Sequence, residues 1–113
     1  LVQGNAHDYA VGILLDRAGN DIYTARGVAQ GAAINNSVAL LIDAAGDDAY
    51  FAIDSGSAQG ASNDGGPREY GGVALLLDLS GKDRYSAGGR DGCRFVRPHV
   101  GIVYDVVDQE AKP

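Results

Sequence analysis

The sequence has no Met, no Trp, one Cys, two Phe and three Pro. A single cysteine, Cys93, excludes an internal disulfide framework. The shortage of large side chains argues against an ordinary globular core. No run approaches the roughly twenty apolar residues that a membrane-spanning helix needs, so no membrane span is expected. Basic residues are also scarce, nine against fifteen Asp and Glu, for a net charge of −6. The imbalance is concentrated in residues 1–60, where seven acids meet two bases. Such a surface lacks the cations that neutralise phosphates, so no nucleic acid is expected as partner. No nucleophile–base motif, closely spaced histidine pair or phosphate-cradling loop occurs. A chain without Met that opens inside a repeat is expected to be part of a longer one, and no signal peptide is visible in it.

An internal repeat is present, and it organises the chain. Val11–Tyr23 reads VGILLDRAGNDIY, Val38–Tyr50 reads VALLIDAAGDDAY and Val73–Tyr85 reads VALLLDLSGKDRY. A truncated copy, Val100–Asp105, reads VGIVYD. Asp16 to Asp43 and Asp78 to Asp105 are each 27 residues apart, and Asp43 to Asp78 is 35 because a loop, NDGGPRE, intervenes. A Gln-Gly marker precedes three copies (Gln3-Gly4, Gln30-Gly31 and Gln59-Gly60), and Arg90-Asp91-Gly92 stands weakly in its place before the fourth. The repeats are about 2–28, 29–57, 58–89 and 90–108, within a single domain, 1–113.

Recurring Gly and Asp exclude helical repeats. Strands of five or six residues between Gly and Asx corners predict an all-β, right-handed parallel β-solenoid, or β-helix. It would have about three and a half coils of ~27 residues, stacked at about 4.8 Å. Alternation along each strand separates two faces. The bulky set (Val11, Ile13, Leu15 and their equivalents) is expected inside. The Gly/Ala positions with Leu14, Leu41, Leu76 and Val103 are then expected to form an outward apolar ribbon. Soluble monomers seldom expose such a strip, so it is a candidate association surface. A second candidate interaction cluster is Arg68, Arg90, Arg94 and Arg97, which could dock an anionic partner.

The six aspartates Asp16, Asp21, Asp43, Asp48, Asp78 and Asp83 fall into ladders. Like charges about 5 Å apart cost of order 1 kcal/mol in water and several at lower effective dielectric. Backbone N–H groups, a bridging calcium ion or catalysis could each account for them. In DRAG, DAAG and DLSG, Asp at the first and Gly at the fourth position match a type I turn, with the carboxylate on a backbone N–H.

The cores Gly19-Asn20-Asp21-Ile22-Tyr23, Gly46-Asp47-Asp48-Ala49-Tyr50 and Gly81-Lys82-Asp83-Arg84-Tyr85 resemble the RTX calcium-binding repeats. The resemblance implies a parallel β-roll with calcium held between turns, here by Asp21, Asp48 and Asp83. The family's period is nine residues, about a third of this one. The whole unit also resembles repeats of uncharacterised bacterial envelope or secreted proteins.

The expected function is a non-catalytic structural or interaction module, secreted or at a cell envelope. It would associate with itself or a protein partner through the apolar ribbon or its open ends. The alternatives are a polysaccharide-binding or polysaccharide-cleaving β-helix, with Glu69 and Asp91 as candidate acids, and a calcium-stabilised repeat. No other cofactor is expected.

Overall fold

The computed structural model describes residues 3–63, 71–97 and 99–106. Among these the chain is all-β, with one short 3-10 turn at Ser55–Ser57. No described helix is long and apolar enough to cross a membrane. The strands are β1 (Ala6–His7), β2 (Val11–Asp16), β3 (Ile22–Ala25), β4 (Ala33–Ile34), β5 (Val38–Asp43), β6 (Ala49–Ala52), β7 (Val73–Asp78), β8 (Arg84–Tyr85), β9 (Arg94–Arg97) and β10 (Gly101–Asp105).

Three sheets form, and apart from β9 each takes one strand from successive repeats. Their orders are β2-β5-β7-β10-β9, β3-β6-β8 and β1-β4. Apart from β9, every pairing is parallel and joins equivalent residues. Val11, Val38 and Val73 lie in one row, and Asp16, Asp43, Asp78 and Asp105 in another. The rings of Tyr23, Tyr50 and Tyr85 stack with centroids 4.8 Å apart and nearly parallel planes.

The corners explain the Gln-Gly marker. Gln30 and Gly31 both have left-handed backbones (φ 57° and 73°), as do Gln59 and Gly60 (54° and 70°). A Cβ on Gly31 would lie 2.4 Å from the Leu75 carbonyl oxygen, so only glycine lets the corner approach the neighbouring layer. The glutamines offset their strained backbone by tying it down. The Gln30 amide donates to the carbonyls of Tyr23 and Phe51 at 2.9 and 3.0 Å, and the Gln59 amide donates to that of Tyr50 at 2.8 Å.

The faces of the large sheet are the reverse of the sequence expectation. Leu41, Leu76 and Val103 are buried with Tyr23 and Tyr50, and Leu14 is half-buried against them. They form the interior and present no ribbon to a partner. Val11, Ile13 and Leu15 point outward at 70%, 62% and 61% exposure. The reason is steric and polar together. The interior between the sheets is thin, and Ala39 and Ala74 pack there against Ala6 and Ala33. At Gly12 of the same column an added Cβ would lie 1.8 Å from the Asn5 carbonyl oxygen. Asp16, Asp43, Asp78 and Asp105 share the parity of this small-residue face, which directs their carboxylates inward to the tyrosines.

A second difference lies at the fourth repeat. Arg90-Asp91-Gly92 makes no Gln-Gly-type corner. It leads into β9, which turns back through His99 (φ 66°) and pairs antiparallel with β10. The fourth layer therefore has no β1-like or β3-like strand among the described residues.

Candidate functional site

The Asp and Tyr columns meet along one internal edge, where the DxxGxD turn leaves the large sheet. The first Asp of each turn folds back on its own backbone. Oδ1 of Asp16, Asp43 and Asp78 each accepts the N–H two residues on, at 3.2 Å, as the turn pattern requires. Its other oxygen serves the preceding layer. Tyr23 Oη donates to Asp43 Oδ2 at 2.5 Å, Tyr50 Oη to Asp78 Oδ2 at 2.7 Å and Tyr85 Oη to Asp105 Oδ2 at 2.7 Å.

The second Asp reaches between layers. Asp48 Oδ1 accepts the Asp21 N–H at 2.6 Å, and Asp83 Oδ1 accepts the Asp48 N–H at 2.7 Å. Asp83's own N–H donates to Asp91 Oδ1 at 3.0 Å. Asp91 thus supplies from upstream the carboxylate that a complete fourth copy would have carried downstream of Asp105. Sequence reading missed this pairing; the missing second Asp in the fourth copy, beside an unmatched Asp91, is the signal that could have revealed it. The Oδ2 atoms of Asp48 and Asp83 are buried and have no hydrogen-bond partner.

The six ladder acids, with Asp91 and Asp105, gather into three groups. These are Asp16, Asp21 and Asp43; Asp48, Asp78 and Asp83; and Asp83, Asp91 and Asp105. In each group one oxygen per residue lies within 4.8 Å of the others. Asp43, Asp48, Asp78, Asp83 and Asp105 are all buried. Among the described residues no ion pair is formed between a Lys or Arg and these aspartates. Lys82 is exposed, and its backbone N–H donates to Asp47 in an outer ladder at 3.0 Å.

Burial disfavours the charged carboxylates and pushes their pKa up. Asp48 and Asp78 rise to about 6 and Asp83 to about 8, with neighbouring aspartates adding to the desolvation. Asp43 and Asp105 also shift upward, chiefly from burial, although the tyrosine hydroxyls oppose it. Tyr23, Tyr50 and Tyr85 are raised beyond any accessible pH, first by burial and then by their aspartate partners.

A comparison with protein families, curated proteins and solved structures finds no match to this chain.

The arginine cluster does not assemble as expected. Arg90 and Arg94 are exposed, but Arg97 is buried, and its guanidinium donates to the carbonyls of Ala87 and Gly56 at 3.0 and 3.1 Å. It fastens two corners together, and desolvation lowers its pKa. Arg68 and Glu69 lie outside the described residues. Of the stacked carboxylates, Asp43 and Asp78 are buried and Asp16 is half-buried; Asp91 is exposed and accepts the Asp83 N–H.

Among the described residues the outer face of the large sheet carries no acid. Val11, Ile13, Leu15, Val38, Val73, Val100 and Tyr104 are exposed along it, and Leu40, Ile42, Leu75, Leu77 and Ile102 are half-exposed between them. Beside β9 a shallow depression of about 400 Å³ is lined by Leu40, Leu75, Val96, His99, Val100 and Ile102 among others, with Arg94 at its edge.

Proposed function

We propose that this chain is a right-handed parallel β-solenoid acting as a non-catalytic structural or interaction module, secreted or at a cell envelope. It associates through the outer face of the large sheet. The supporting observation is the continuous row of exposed and half-exposed Val, Ile and Leu at alternate positions of β2, β5, β7 and β10. The four strands, about 4.8 Å apart and about 3.3 Å per residue, give an apolar footprint of roughly 300–400 Å² before side-chain relief. A contiguous apolar area of this size on a monomer is most often a contact surface. Each side chain there adds of order 1 kcal/mol when covered, because roughly half of it is already shielded by its neighbours.

The deep placement of the ladder carboxylates favours binding over cleavage, since a hydrolase needs its acids within reach of substrate. Size-exclusion chromatography with light scattering tests the reading. The wild-type protein is expected to self-associate or to take up a protein partner, and Ile13→Lys with Leu75→Lys is expected to abolish this with the fold intact. A wild-type protein that stays monomeric, and binds no more partner than the double variant does, would refute it.

A further inference from the structure

We propose that Asp48, Asp78 and Asp83 form a site for one calcium-class divalent cation held between the second and third repeats. The site is independent of the apolar outer face.

Three observations carry it. One oxygen from each carboxylate lies within 4.8 Å of the others, and an ion that sits about 2.4 Å from its ligands fits between oxygens at such separations. Two of the three side chains, 1% and 4% exposed, each keep an oxygen with no hydrogen-bond donor. A buried carboxylate oxygen without a donor is costly, and it is the group that a cation satisfies. No Lys or Arg stands in for that cation among the described residues.

The remaining oxygens are already fixed. Asp48 Oδ1 is held by the Asp21 N–H and Asp83 Oδ1 by the Asp48 N–H, while Asp78 is held by the Ser80 N–H and Tyr50 Oη. The unpartnered oxygens are thereby positioned before any ion arrives. Three carboxylates with no nitrogen or sulfur donor select a hard cation. Burial favours one that sheds its water readily, which is calcium rather than magnesium. The other two groups are weaker candidates, because Asp16 and Asp21 are half-exposed and Asp91 is exposed.

Terbium, a calcium mimic that emits when excited through a nearby tyrosine, tests the site, with Tyr50 as the antenna on Asp78. Protein refolded from urea in chelator, and then freed of the chelator, is titrated with terbium at neutral pH, where the ion stays in solution. Sensitised emission is expected, with calcium displacing it. Asp83→Asn and Asp48→Asn should weaken terbium binding by about tenfold or more, whereas Asp47→Asn, in the exposed ladder, should leave it unchanged. Calcium should also raise the melting temperature of the wild-type protein over that in chelator, a reading that does not depend on how the variants fold. No sensitised emission, equal affinity in folded Asp83→Asn, or a wild-type melting temperature indifferent to calcium would each overturn the site and leave protons to neutralise the column.

Discussion

Replacing Leu41 by Ala and Leu15 by Ala tests which side of the large sheet is the inside. Both residues lie in the same kind of strand, one position apart in parity, and the sequence pattern puts Leu15 inside and Leu41 outside. Leu41 is fully buried between Tyr23, Tyr50, Leu76 and Val103. Truncation removes its transfer free energy and leaves a cavity that the hydrogen-bonded layers above and below cannot collapse into. The loss is about 2–5 kcal/mol. A domain of this size has roughly 5–15 kcal/mol in total. At about 3–5 °C per kcal/mol, the melting temperature should fall by roughly 6–25 °C. Leu15 is 61% exposed, so its truncation should stay within about 0.5 kcal/mol. The assay is thermal unfolding by circular dichroism, at a dilution where light scattering gives the monomer, so that outer-face contacts do not enter. The reasoning fails if Leu15→Ala is as damaging as Leu41→Ala, or if Leu41→Ala is tolerated.

Tyr50→Phe should cost about 1–3 kcal/mol in urea unfolding, because it leaves the buried Asp78 Oδ2 without its 2.7 Å donor. The pH dependence follows from the upward shifts at Asp48, Asp78 and Asp83. Carboxyls whose folded pKa exceeds the unfolded value near 3.9 stabilise the fold fully below about pH 4 and lose that contribution as the pH rises through about 6 and then 8. In chelator, stability should therefore fall between pH 5 and 9 by of order 1 kcal/mol per unit, with the loss smaller in Asp83→Asn. A melting temperature that is flat or rising over that range would contradict the assigned shifts.

The register of the layers was legible in the sequence, because Asp16 to Asp43 and Asp78 to Asp105 are each 27 residues apart, and each stacked tyrosine follows its Asp by seven residues. The aspartate turns were legible for a local reason, since Asp at the first position bonds a nearby N–H whatever surrounds it. The orientation of the large sheet was not. Hydrophobic bulk usually marks the interior, but here the space between sheets admits a Gly or Ala and one Leu or Val per strand, and the remaining aliphatics are turned out. Parity with Asp16 held the clue: a carboxylate that meets the Tyr23 column must share the inner face with Leu14. The fourth layer was illegible for a different reason. Nothing in Arg94–Arg97 distinguishes a strand that continues the stack from one that turns back on it. Arg97 likewise reads as a surface charge until two carbonyl groups from distant corners are found around it.

The reversed strand β9 has a consequence for how long such an array can be. A pile of identical layers carries no measure of its own height, since each layer offers the next the same template. By running opposite to β10, β9 covers that template with a strand of the other polarity, and a further layer of the same kind would meet it antiparallel and outside the parallel register of the stack. One turn in the chain thus breaks the parallel register at that side of the large sheet, while β2 keeps an edge of the repeating kind.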